Sequence, residues 1–338
     1  MSKIAIQTPL YRSSACLPVL VKSLLAQTHQ DWIFYCCENS GDADERAKVA
    51  DILKTSGIPY VFTESKENLG FAGGHNTLMQ QHDAEYILLL NEDAYLAPDH
   101  LEKCLQRFAL DPEAAAVAGI VYRWTVSADQ EERQITDQTM IDTIALEYRC
   151  LANVVDACAG QTRKEAGGKL EAARQVMGVS GAICMIRRSL TDRVSPEKLL
   201  FDPTFFMYKE DVDLALRLKR KGFHAWFDPA IVSFHRRGVK APKGIWARIQ
   251  DERRRPAHLR ETMLCNQFKI YAYHLSFRLG VYDLLRSMLH ETAHLIFVFI
   301  SSPLVFVRGM VASLRAWPKA WKRRRILESM GLTHTRFI

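Results

Sequence analysis

Ile87-Leu88-Leu89-Leu90-Asn91-Glu92-Asp93 joins an apolar run, a buried strand by composition, to an amide and two acids. It belongs to the fourth of five short β-rich runs in the first 121 residues, and a helical pattern follows each of the first four. Lys3–Thr8 leads to Leu17–Ala26, Trp32–Cys37 to Asp44–Thr55, Tyr60–Thr63 to Ala72–Gln81, and Tyr86–Leu90 to Pro98–Leu110; Ala116–Val121 closes the series. Strand–helix alternation at this spacing predicts an α/β protein with a mostly parallel, doubly wound central sheet flanked by helices. Ligands of such sheets bind beyond the carboxyl ends of the strands, so the loops that follow strands are read first for function.

Beyond these runs the pattern weakens. Residues 123–175 are polar and weakly periodic and read as an excursion over the surface. Order returns with Val176–Met185, Phe205–Tyr208, a helix over Glu210–Lys221 closed by Gly222, and Ile231–Phe234 ending at His235. With 338 residues, 48% hydrophobic and 25% charged, the chain is neither disordered nor small. Eight cysteines with no C-x-x-C pair exclude a disulfide scaffold or a zinc site of that type, and predict a reducing compartment. The N-terminus is too short an apolar run for a signal peptide and reads as a first strand. The longest apolar stretch, Leu295–Val307, is broken by Ser301, Ser302 and Pro303 and is too short to span a bilayer.

Four constellations fall at strand ends or helix starts. Glu38-Asn39-Ser40-Gly41-Asp42 offers a carboxylate and an amide to a base or a ribose, or forms an ordinary turn. Asn68-Leu69-Gly70-Phe71-Ala72-Gly73-Gly74-His75-Asn76 is a glycine-rich loop opening a helix, suited to phosphate, though neither a dinucleotide fingerprint nor a P-loop. Asn91-Glu92-Asp93 places two acids where a hard divalent cation can bridge protein and diphosphate; the alternative is a plain loop entry. In Tyr208–Arg217, Asp211 falls within the apolar arc of a helix, whereas Glu210, Asp213, Arg217 and Arg220 fall outside it. An inward-facing acid at a first helical turn suits a general base or a cap, and Asp213 with Arg217 reads as a surface pair. His235 becomes a metal ligand only if the sheet brings it near Asp93.

Together these motifs resemble the family 2 inverting glycosyltransferases of GT-A fold, from Ile4 to about Gly238. Asn68–Asn76 is similar to the family's donor loop, Leu88–Asp93 to a variant of its D-x-D metal motif, Val179–Ala182 to an acceptor-side segment, and Phe206–Arg217 to F-x-Y-x-E-D-x-D-L-x-x-R. The resemblance implies Asp211 as base, and donor contacts from Thr8, Pro9, Glu38, Asn68, Gly70, Gly73, Asn76, Asn91 and Asp93. It further implies Ser180, Gly181 and Glu210 on the acceptor side, and Asp93 and His235 on a divalent cation, Mn2+ or Mg2+. The implied partners are a dTDP- or UDP-linked sugar and a glycan or lipid-linked acceptor, in bacterial surface polysaccharide synthesis with a rhamnosyltransferase-like lean. Three departures stand out: Glu38 in place of Asp, Glu92 in place of a small residue, and Thr8-Pro9-Leu10-Tyr11-Arg12 in place of the usual end of the first strand. A non-catalytic nucleotide-sugar-binding or scaffold protein of the same fold is the alternative.

Charge divides the chain near the end of that resemblance. Residues 1–235 carry 25 Lys and Arg against 32 Asp and Glu, while residues 236–338 carry 20 against 6. An acidic larger part argues against nucleic acid as a partner. The sequence therefore predicts a catalytic domain over 1–240, with nucleotide-sugar binding in 1–121 and the acceptor side in 176–240, and a basic helical region over 241–338. Within that region, residues 289–325 combine apolar helix, Trp317, Trp321 and basic clusters. That pattern predicts an anionic membrane surface as partner and a cytoplasmic protein peripheral at the inner face of the cell membrane. Packing of these helices on the catalytic domain, or a homo-oligomer through them, is the alternative.

Overall fold

The computed structural model describes residues 3–124, 135–151, 153–236, 244–276 and 280–333. The opening alternation folds as read: β1 (Ile4–Leu10), α1 (Leu17–Leu25), β2 (Trp32–Glu38), α2 (Ala43–Thr55), β3 (Tyr60–Glu64), α3 (Gly70–Met79) and β4 (Tyr86–Leu90). β5 (Ala94–Leu96), α4 (His100–Leu110) and β6 (Ala114–Arg123) follow. Then come β7 (Ile141–Thr143), β8 (Leu146–Cys150), β9 (Asn153–Asp156), α5 (Arg163–Ala166), β10 (Arg174–Val176), β11 (Ile183–Arg187) and α6 (Arg188–Thr191). α7 (Glu210–Arg220) and β12 (His224–His235) complete the sheet layer, and α8 (Ile245–Arg254), α9 (Ala257–His274), α10 (Val281–Ser301) and α11 (Pro303–Ser329) end the chain.

The main sheet runs β10-β12-β6-β11-β4-β1-β2-β3, with β5 on β12 and β7 on β6. β4, β1, β2 and β3 are parallel to one another, as the alternation requires. The second half is mixed, because β11 inserts antiparallel between β4 and β6. Successive side chains of a strand face opposite sides, and β4 shows the consequence. Leu88 and Leu90 join the apolar cluster under α1, α2 and α4, while Ile87 and Leu89 join the cluster under α3 and α7.

That second cluster also holds Ile270 and Tyr273 of α9 and Ala320 and Leu327 of α11. Part of the basic C-terminal region therefore packs on the body. The boundary expected at residue 240 lies outside the described residues.

Two expectations are corrected. The stretch 123–175 is not simply a surface excursion where it is described: Ile141, Asp142, Thr143 and Ile144 are buried, and β7 pairs with β6. Asp213 and Arg217 are not a surface pair either. Arg217 has no exposed surface, and its Nε donates to Asp213 Oδ2 at 2.9 Å. Helix α7 is buried nearly all round because the segment 194–200, His274 at the end of α9 and Leu332 close over the face that its own sequence presents as polar. Arg217 also donates to the carbonyls of Val194 and Leu200, and Asp213 Oδ1 lies 2.8 Å from His274 Nε2. Burial alone would raise the Asp213 carboxyl, but Arg217 and His274 hold it well below the ordinary carboxylate range.

A buried charge stripped of its partner is far costlier than an exposed one. Arg217→Ala is expected to destabilise the fold by about 3–5 kcal/mol, read from urea unfolding. Histidines give a second handle. Burial holds His100, which faces the Val232 carbonyl through Nδ1, at about 4, and His274 also at about 4. Both folded values lie below the ordinary unfolded value near 6.5, so their contribution is complete above that value and is lost as pH falls from there toward 4. Stability should drop by about 2–3 kcal/mol per histidine over that window. His100→Gln should flatten the part of the slope measured between about pH 7 and about pH 5.

Candidate functional site

The site lies at the carboxyl ends of β1, β2 and β4. Asn39, next to Glu38, organises the loop that opens α3: its Oδ1 accepts from Leu69 N at 2.7 Å, and its Nδ2 donates to the Gly70 carbonyl at 3.2 Å and to Asn68 Oδ1 at 3.3 Å. Asn68 Oδ1 in turn accepts from Gly70 N at 2.9 Å. Glu38 is buried and accepts from Ser40 N at 3.0 Å. Thr8 is buried at the end of β1 with its hydroxyl unpartnered in the protein, a polar atom that needs a ligand or water.

α3 begins at Gly70, two residues earlier than the sequence suggested, so Gly73, Gly74 and Asn76 lie inside the helix. Gly70 has φ +67°, and a Cβ there would fall 2.2 Å from the Phe206 carbonyl oxygen. Gly74 lets α3 close on Pro9, where a Cβ would meet the proline ring at 2.6 Å. Glycine at both places is thus demanded by packing as well as by any phosphate. Asn76 commits both ends of its amide to Phe201, with Nδ2 on the carbonyl at 2.9 Å and Oδ1 on the N–H at 3.0 Å. It positions the 201 segment.

The acidic motif after β4 meets His235, the last residue of β12. Antiparallel pairing of β5 with β12 sets His235 opposite Ala94, and Nε2 of the imidazole lies 3.0 Å from Asp93 Oδ1 and 3.1 Å from Asn91 Nδ2. The condition set for His235 is met. The other ring nitrogen, Nδ1, lies 2.8 Å from Asp142 Oδ2, and Arg123 lies 3.3 Å from the second Asp142 oxygen. Burial disfavours a charged imidazole, yet Asp142 and Asp93 outweigh it and push His235 up to about 9. Glu92 is half-buried, and burial together with the Asp93 charge pushes its carboxyl up to about 7.

A cation fits this donor set. With Nδ1 bound to Asp142, the histidine presents Nε2 toward Asp93, the arrangement by which a carboxylate orients a metal-ligating imidazole. No group of three or more His, Cys, Asp or Glu able to hold a metal occurs among the described residues. A cation held here would take Asp93 and His235 from the protein and would need an oxygen-rich ligand such as a diphosphate for most of the remainder.

Asp211 stands at the first turn of α7. Its Oδ2 accepts from Gly181 N at 3.1 Å and its Oδ1 from Val212 N at 2.8 Å. Burial raises its carboxyl. Beside it, Glu210 is buried with Oε2 unpartnered, and burial and the Asp211 charge raise it well above the usual range. Ser180 is half-buried beside Gly181. One short segment joins the two halves of the site: Asn91 N donates to the Ala182 carbonyl at 2.9 Å, and Gly181, the preceding residue, holds Asp211. A side chain at 181 would press on Phe71 of α3, at 3.2 Å.

The turn into α7 is strained. Tyr208 and Lys209, neither of them glycine, have φ of 72° and 74°. Asn266 of α9, fully buried, braces this turn by donating through Nδ2 to the Met207 and Tyr208 carbonyls, both at 2.9 Å. Lys269 donates to the Thr204 carbonyl and to Asn266 Oδ1, and Tyr273 donates to Asp202. The C-terminal region thus shapes the segment 202–211.

Sequence reasoning missed Asp142, Arg123 and Asn266. Asn266 is an amide within an unremarkable helix, and Asp142 lies in the weakly periodic stretch. Only the short run Ile141–Ile144 hinted at a strand there.

A mixed sheet with flanking helices and C-terminal helices is the architecture of GT-A glycosyltransferases. The mannosyltransferase PcManGT from Pyrobaculum calidifontis, solved with GDP-Man and Mn2+, matches with TM-score 0.52 and 14% identity over 98% of this chain and 81% of that one. GalNAc-T7, solved with UDP, GalNAc and Mn2+, matches with TM-score 0.64 and 10% identity over 100% of this chain and 55% of that one. Residues 6–195 match glycosyl transferase family 2, and the chain belongs to that family. It is 33% identical over 114 residues to the chondroitin synthase of Pasteurella multocida strain Pm70 and to the hyaluronan synthase of Pasteurella multocida. It is 27% identical over 120 residues to protein CgeD of Bacillus subtilis strain 168. Each of these matches covers 34% of this chain, but only 12% of either synthase and 28% of CgeD.

The brace on the strained turn can be measured directly. Asn266→Ala should cost about 1–3 kcal/mol, because the buried carbonyls of Met207 and Tyr208 lose their donor. Amide hydrogen exchange should accelerate over 207–212 more than in β4.

Proposed function

We propose that this protein is a metal-dependent inverting glycosyltransferase that moves a hexosyl or deoxyhexosyl group, rhamnosyl among them, from a dTDP- or UDP-linked donor to a hydroxyl of a glycan or lipid-linked acceptor. The role fits bacterial surface polysaccharide synthesis at the inner face of the cell membrane. Residues 1–240 form the catalytic domain in this reading. The observation that carries it is the pairing of Asp93 and His235 on one side of segment 180–182 with Asp211 on the other.

Asp93 and His235 hold the cation, which when bound neutralises charge on the departing diphosphate. Asp142 keeps the imidazole turned toward it. The loop around Asn68 and Gly70, shaped by Asn39, and the buried hydroxyl of Thr8 receive the nucleotide, with Glu38 toward the base. Asp211 takes the proton from the acceptor hydroxyl. The acceptor oxygen then bonds to the anomeric carbon as the carbon–oxygen bond to the diphosphate breaks, and the leaving diphosphate keeps the electron pair. A single displacement inverts the configuration and needs no covalent nucleophile. Burial raises Asp211 toward the range useful to a base, and the Gly181 N–H aims one carboxylate oxygen. Beside it, burial and the Asp211 charge raise the Glu210 carboxyl well above the usual range.

Asp211→Asn should lower turnover by about 10²–10⁴-fold while nucleotide binding persists, as expected for loss of a general base. Asp93→Ala should abolish the Mn2+-dependent part of nucleotide-diphosphate binding. Both are checked with a panel of nucleotide sugars, by diphosphate release and by thermal shift with and without Mn2+. Full turnover by both variants overturns the mechanism, and donor binding without consumption by the wild type favours the non-catalytic alternative.

A further inference from the structure

We propose that the outer face of α11, continued by the end of α10, docks this protein on an anionic lipid surface. The packing of α11 fixes which face is outer. Val305, Gly309, Ala320 and Leu327 are buried, and Gly309 lies so close to α9 that a Cβ there would meet Leu264 at 2.7 Å. On the opposite side Leu304, Val307, Val311 and Leu314 are 61%, 52%, 39% and 70% exposed. At helical spacing these four fall in one arc of about 80°. Arg308, Arg315, Lys319 and Lys322, all exposed, flank that arc on one side, while Trp317 and Trp321, stacked at 6.4 Å, flank it on the other. At the helix break over Ser302, the apolar face passes to α10, where Phe299 touches Phe306 and Ile296 and Ile300 are exposed.

An apolar stripe between a basic flank and a tryptophan flank suits a helix lying in the headgroup region, its ammonium groups reaching lipid phosphates. Charge selects the occupant. Residues 292–327 contain seven Lys and Arg and no Asp or Glu. A symmetric contact between two copies through this face would set like charge against like charge, whereas an anionic leaflet complements it. The structure also divides the basic cluster. Arg323 is buried against Asp202 at 3.4 Å, and Arg324 is taken by Glu328 and by the carbonyls of Ala272 and Leu275. Lys322 and Arg325 are left to face outward. No described helix is long and apolar enough to cross a membrane, so the contact is one of surface docking.

The peripheral position proposed above gains a contact surface in this way. Because vesicle binding needs no donor and no turnover, its failure and the failure of the transferase reading are separately visible. The full chain is sedimented with vesicles of phosphatidylcholine alone, and with vesicles containing added phosphatidylglycerol, at low and high salt. Strong preference for the anionic vesicles, lost at high salt, is expected. Arg315→Gln, Lys319→Gln and Lys322→Gln together should weaken that binding about 100-fold, at about fivefold per charge. Trp317→Ala with Trp321→Ala should weaken it while leaving the salt dependence in place. Unaltered thermal unfolding shows that the variants remain folded. Equal binding to both vesicle types, no vesicle binding, or a solution dimer that the tryptophan substitutions dissociate would overturn the proposal.

Discussion

The guanidinium of Arg217 sits in the interior, charged, and everything around it is arranged to make that tolerable. Asp213 faces it one helical turn away, the carbonyls of Val194 and Leu200 accept from its Nη1 and Nη2, and His274 closes on the far side of the carboxylate. Arg220 extends the set by donating to His274 and to the Leu332 carbonyl. A buried charge requires its partners at fixed positions, so this cluster locks α7 to α9 and to the segment that follows α11. The orientation of α7 in turn sets where Asp211 emerges beside Gly181. The position of Asp211 therefore depends on an ion pair with no access to solvent.

The first half of the fold was legible because each strand from Ile4 to Leu90 carries its own short-range pattern and each helix follows at a regular distance. The loop around Asn68 and the acids after β4 could be placed at strand ends for the same reason. Their meeting with His235 was stated only as a condition, since a sequence does not show which strand becomes the neighbour of which. Asp142 was illegible on stronger grounds. Its role comes from β7 lying on β6 and from a histidine 93 positions later, and nothing local distinguishes it from a loop acid. Periodicity failed for α7 because it assumes that a polar face meets water, whereas the segment 194–200, His274 and Leu332 close over that face. The insertion of β11 antiparallel between β4 and β6 was equally invisible, for strand order is a property of the whole chain.

The charge asymmetry of the sequence also changes meaning in three dimensions. A basic C-terminal region could simply be solvated, yet it divides by depth. Lys269, Arg323 and Arg324 turn inward onto carbonyls and acids of the body, whereas Arg315, Lys319 and Lys322 remain on the surface. Net charge alone cannot separate these groups. Burial does, and it assigns the first set to holding the fold and the second to whatever lies outside it.

The left-handed turn at Tyr208 and Lys209 bears on the order in which the molecule is completed. Domains form from the N-terminus as the chain is synthesised, and α9 leaves the ribosome only after every strand of the sheet. Until Asn266 arrives, the Met207 and Tyr208 carbonyls lack the donor that braces the turn. The turn that leads into Asp211 is therefore complete only once the C-terminal helices pack on the body. Because Ile270, Tyr273, Ala320 and Leu327 belong to the apolar cluster under α3 and α7, that packing is part of the core and not an addition to it.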